Sequence, residues 1–267
     1  MTRLLKFEFR KLFRQKSFYI CGAVMVGLLL ITTVSINFLM NLNDAMVQTS
    51  DGSISMGIEG YMNYNGLQML SAALSECNFS IILAIFLSLF ICGDYTNDTL
   101  KNVIAKGYGR VSIYASKFIV SLAAVSIYVV ICWLTSFISG SAFWGIGTLS
   151  GNATPGSLAI ALFTQLLLVY AYTAVFFFLC VLLRKTSGSI AIGILAPLVL
   201  NMILSLLDGF FHEKTFQLTD YWLDTLLMQS SGTFIPSDIL TRGIVCSVIY
   251  LVVFAIGGHL IGRRHQV

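Results

Sequence analysis

The segment FIVSLAAVSIYVVICWLTSFISGSAFW, residues 118–144, carries no charged side chain over its whole length. As an α-helix it would extend for about 40 Å, more than the roughly 30 Å hydrocarbon core of a bilayer. Its polar positions do not alternate with period two, so it does not read as a strand of a membrane barrel. Extended backwards to residue 112, the run meets a single charge, Lys117. A helix this long either tilts or projects beyond the apolar layer at one end.

Composition extends that reading to the whole chain. Of 267 residues 57% are hydrophobic and 10% charged, with three prolines, which is the balance of a polytopic helical membrane protein. The expected fold is an all-α membrane protein with six transmembrane helices, at about residues 17–40, 71–93, 112–144, 158–183, 188–208 and 238–262. The second is short as a purely apolar run, so Glu76 and Asn78 are placed in its outer turns. The chain reads as one membrane domain over 1–267, without internal repeats.

Fourteen of the sixteen Lys and Arg residues fall at the N-terminus, between the second and third spans, between the fourth and fifth, and at the C-terminus. Nine of the twelve acidic residues fall in the alternate segments. Basic residues are retained on the cytoplasmic side, so both termini are expected there. The six cysteines show no CxxC spacing and mostly lie within spans, where they read as small packing residues.

Three segments outside the spans stand out. Residues 1–16, MTRLLKFEFRKLFRQK, set Leu4, Leu5, Phe7, Leu12 and Phe13 at helical spacing among six cations that include Arg3, Lys6 and Arg10. This is either a plain topology signal or an amphipathic elbow helix lying in the interface, cations toward anionic headgroups. Residues 208–242 include Tyr221, Trp222, Leu223, Leu226, Leu227 and Met228, a short amphipathic helix at the outer surface or dipping into it. The third, GDYTNDTLK at residues 93–101, runs on to Arg110 and Lys117 on the cytoplasmic side. Asn97 or Asp98 starts a helix there and Gly107 and Gly109 stop it. It is either a capped surface helix or a docking element.

Enzymatic chemistry has little support. The three histidines, His212, His259 and His265, have no partner at a recognisable spacing, and there is no HExxH, no paired intramembrane aspartate and no metal-ligand cluster. An ion-coupled carrier needs an ionisable group near mid-membrane, and the middles of all six spans lack one. Asn37, Thr135, Thr164, Gln165 and Asn201 are mild enough to serve as interhelical hydrogen-bonding groups. A permease with neither a coupling ion nor a phosphate-binding loop of its own needs a separate source of energy, and a cytoplasmic surface to receive it.

At Asp94-Tyr95, Thr99-Leu100-Lys101, Gly109-Arg110 and Lys117 the chain resembles the permease subunits of type-2 ABC transporters, the ABC-2 exporter family, including small bacterial permeases for peptide and antimicrobial-peptide export. It departs from that pattern in Asp94, where Glu is common, and Asp98, where Gly is common. The resemblance implies an elbow helix containing Arg3, Lys6 and Arg10, and a cytoplasmic coupling helix between helices 2 and 3. It implies docking of an ATPase through Asp94, Tyr95, Asp98, Thr99, Leu100, Lys101 and Arg110. It also implies two ABC ATPase subunits that carry the ATP and Mg, a second permease, identical or homologous, and a multi-pass location in the bacterial plasma membrane. The chain itself would bind no cofactor, metal or nucleic acid. Asn37, Glu76, Asn78 and Asn201 are candidates for the substrate path. A non-transporting sensor or immunity protein of the same topology is the alternative.

Overall fold

In the computed structural model the described residues are 2–49, 65–76, 79–96, 109–147, 154–210, 217–233 and 235–264. All regular structure among them is helical. In chain order the helices are α1 (Thr2–Arg14), α2 (Lys16–Thr49), α3 (Gly66–Glu76), α4 (Phe79–Thr96), α5 (Arg110–Trp144), α6 (Pro155–Leu183), α7 (Thr186–Phe210), α8 (Leu223–Gln229) and α9 (Ser237–Arg264). Six of them, α2, α4, α5, α6, α7 and α9, are long and apolar enough to cross a membrane. In the second span the described membrane-length helix is α4, and α3 precedes it in the chain.

The bundle is apolar outside as well as inside. On α2, Phe18, Cys21, Met25, Leu29, Thr33 and Ile36 are buried at steps of three and four residues, one continuous stripe. The opposite face carries Ile20, Ile31, Val34 and Phe38, each more than half exposed. A helix that is hydrophobic all round has lipid as the solvent for its outer face. Association between such helices cannot come from the hydrophobic effect and rests on close packing and hydrogen bonds.

Both are present. Tyr128 of α5 stacks on Phe18 at 5.0 Å and meets Phe86 of α4 edge-on at 5.0 Å. The Tyr128 hydroxyl donates to the carbonyl oxygen of Phe18 at 2.8 Å, so one side chain joins α2, α4 and α5. Gln165, buried on the central helix α6, donates to the carbonyls of Ser71 at 2.7 Å and Ser230 at 2.8 Å. That amide therefore pins α3 and the end of α8 to α6. The short helix α8 faces the core with Leu223, Leu226 and Leu227, three of the apolar positions on which a helix was expected there. The Asp208 carboxylate accepts from the backbone N–H groups of Leu218 and Thr219, and Arg242 pairs with Asp220 at 2.8 Å, fixing the segments on either side of α8.

Close approach of backbones needs small residues. A Cβ on Gly140 of α5 would lie 2.8 Å from the Met69 side chain and 3.2 Å from the Gly66 Cα atom, so α3 rests directly on α5. We expect Gly140→Leu to force those helices apart and destabilise the protein by about 1–3 kcal/mol, as overpacking does. Gly27→Leu, on a stretch of α2 where a Cβ meets nothing within 4 Å, serves as the control. Thermal unfolding in detergent should separate the two, with a lowered Tm for the first and little change for the second.

Candidate functional site

The site begins where α4 changes its winding. After Leu87 the helix passes through a π turn, Ser88–Cys92, and resumes α geometry for Gly93–Thr96. A π turn inserts one residue into the ladder and re-aims the side chains beyond it. It is held by contacts to two neighbours: the Cys92 thiol lies 3.2 Å from the Ser189 hydroxyl of α7 and 3.5 Å from the Cys180 carbonyl oxygen of α6, and Ser88 meets the Cys180 sulfur at 3.7 Å. The Thr96 hydroxyl then donates back to the Cys92 carbonyl oxygen at 3.1 Å.

The re-aimed residue is Asp94, and its carboxylate points into the protein. It is 5% exposed, with one oxygen taking the ammonium of Lys11 from α1 and the other that of Lys117 from α5. Lys117 also stands 3.7 Å from Glu8 of α1, and both are 2% exposed. The Phe90 ring lies beneath, its centroid 5.9 Å from the Lys11 nitrogen and 5.8 Å from that of Lys117, at cation–π distance. Two cations and two anions from three helices thus share one largely dry site. Burial lowers the pKa of Lys11 from the ordinary lysine value, and Glu8 acts in the opposite direction.

A buried pair of this kind is a poor source of net stability compared with apolar packing, but removing one partner strands a charge. The cluster therefore acts chiefly as a geometric lock. It forms only when α1, the end of α4 and the start of α5 take one mutual arrangement.

Tyr95 faces the other way. Its hydroxyl lies 2.9 Å from that of Tyr114 on α5, and the guanidinium of Arg184 sits 5.8 Å from its ring centre. Arg184 caps α6 in the left-handed conformation, φ 57°, which closes the tight connection to α7 at Thr186. Asp94 and Tyr95 are thus adjacent in sequence but engaged in opposite directions, one with α1 and α5, the other with α5 and the α6–α7 connection.

Of the residues singled out in the sequence, Asp98, Thr99, Leu100, Lys101 and Asn78 lie outside the described residues, as do the side chains of Glu76 and Arg110. Arg3, Lys6 and Arg10 are exposed on α1. Asn37 is half-buried on α2, and Asn201, half-buried on α7, lines a cavity of about 150 Å³ with Phe79, Pro197, Asp224 and Leu227. Glu8 and Lys11 were not among the candidates. The signal for Glu8 was in the chain: it falls four residues from both Leu4 and Leu12, on the buried stripe of a basic helix. An acid in that position requires a buried cation, and Lys117, alone in its apolar run, is that cation.

Replacing Lys117 by Met keeps the volume and removes the charge shared by Asp94 and Glu8. The expected loss of stability is about 3–5 kcal/mol, the usual cost of breaking a buried pair from one side. A Tm unchanged from the unmodified protein in the same detergent would contradict the lock.

Among curated proteins no match to this chain was found. Residues 4–208, well over half of the chain, match the family model described as ABC-2 family transporter protein. That stretch takes in α1, the charged cluster and the first five membrane-length helices. The chain belongs to the ABC-2 transporter family and is a multi-pass transporter permease, not itself catalytic.

Proposed function

We propose that the chain is the membrane half of an ATP-driven exporter that moves a peptide or amphiphilic substrate, an antimicrobial peptide being the leading example, and that the energy comes from two separate ABC ATPase subunits. Both termini and residues 97–108 would be cytoplasmic, in a bacterial plasma membrane, consistent with the placement of fourteen of sixteen basic residues. The observation that carries this reading is the position of the charged lock. Asp94 near the end of α4 and Lys117 two turns into α5 flank residues 97–108 in the chain and are joined to each other, with Lys11 and Glu8 bringing in α1. Force applied to that segment by an ATPase would be delivered to α4, α5 and the elbow helix as a unit.

In this reading Asp98, Thr99, Leu100, Lys101 and Arg110 meet the ATPase, while Asp94 and Tyr95 tie the end of α4 to its neighbouring helices. A second permease, identical or homologous, would pack against the exposed faces of α2 and α7, where Leu195, Leu198 and Met202 are uncovered. The substrate would pass along that interface, near Asn37 and Asn201. An outer side rich in carboxylates favours a cationic amphiphile, although the same charge bias follows from topology alone.

The test is purification of the tagged protein from its host in mild detergent. A phosphate-loop ATPase should accompany it in stoichiometric amount, and Leu100→Asp should lose that ATPase while still inserting and folding. A stable, folded protein that repeatedly lacks an ATPase would contradict the transporter reading and favour a sensor or immunity role.

A further inference from the structure

The outer edge of the charged cluster opens into a cleft of about 470 Å³ between α1 and the end of α4. One wall is the basic edge of α1, formed by Arg10, Lys11 and Arg14. The other has Leu89 and Phe90 from the π turn, with Gly93 and Asp94 beyond them, and Phe7 stands 55% exposed at the rim. Among the described residues the one acid lining the cleft, Asp94, is already held by Lys11 and Lys117. Arg10 and Arg14 face the cleft and form no ion pair among the described residues.

We propose that this cleft is a discrete binding site for one anionic phospholipid, its phosphate on Arg10 and Arg14 with Lys11 behind, and the start of its acyl chains against Phe7 and Leu89. Three observations select a lipid over a soluble anion. α1 ends at Arg14 and the first membrane-length helix begins at Lys16, so the cleft lies along the last turns before the chain enters the apolar layer. The wall opposite the cations presents the apolar Leu89 and Phe90 and, in Asp94, a carboxylate, none of which would hold a free phosphate. The cleft is also open at an exposed aromatic rim, as entry from the bilayer requires. Guanidinium forks suit phosphate oxygens because they donate in pairs. A seated phosphate would share Lys11 with Asp94, so the lipid would touch the charged cluster itself.

The experiment uses the full-length protein in detergent, titrated with phosphatidylglycerol, phosphatidylcholine or inorganic phosphate and followed by native mass spectrometry and thermal unfolding. One phosphatidylglycerol per chain should be retained saturably with a raised Tm, and neither of the other two probes should reproduce it. Arg10→Gln with Arg14→Gln should weaken that binding about thirtyfold, as expected for two cations at a headgroup. Arg3→Gln with Lys6→Gln removes the same charge from positions that do not line the cleft and should change it by no more than about twofold. Equal loss in both double variants would mean diffuse attraction and overturn the site. Equal protection by inorganic phosphate would make it a simple anion site, and no preference over phosphatidylcholine would remove the role of charge; either overturns the proposal.

Discussion

The structure at one end of the bundle depends on keeping a carboxylate ionised where water is scarce. Asp94 alone would be costly at 5% exposure, and Lys117 alone would be costly at 2%. Together, with Lys11 and Glu8 completing charge balance and the Phe90 face beneath both ammonium groups, they form an arrangement whose failure modes are all expensive. This explains why α1 lies where it does. Its buried stripe, Leu4, Glu8 and Leu12, is an apolar seam with one acid in the middle, and among the described residues that acid's ion-pair partner is Lys117, 3.7 Å away.

The remainder of the bundle is held differently, as its solvent demands. Since lipid is as apolar as leucine, burial discriminates weakly between one helix partner and another. Specificity comes instead from single polar or small residues: the Tyr128 hydroxyl on a carbonyl of α2, the Gln165 amide on two carbonyls, and Gly140 admitting Met69. Gly193 likewise admits Ala84 of α4 against α7, at 2.8 Å from where its Cβ would be. The π turn belongs to the same set, since Cys92 and Ser88 bind α6 and α7 through the ladder it distorts.

The helices themselves were legible because hydrophobic length is an unambiguous signal in a chain with so few charges. α8 was legible from the spacing of Leu223, Leu226 and Leu227. At the site, Asp94 was recognised as important from its place in a motif, but motif position says nothing about side-chain direction. The π turn, which sets that direction, leaves no mark in hydrophobic periodicity. Glu8 was hidden for another reason: in a segment with six cations, one acid reads as charge compensation until its register with Leu4 and Leu12 is noticed.

Asp94 and Lys117 act as a single unit that joins the end of α4 to α5. A double-mutant cycle on Asp94→Asn and Lys117→Met, read by equilibrium unfolding in detergent, tests it most directly. The account predicts that the double variant is more stable than the sum of the single losses implies, by a coupling of about 2–3 kcal/mol, because removing both charges leaves less stranded than removing either. Additive losses, with no coupling between the two positions, would contradict it.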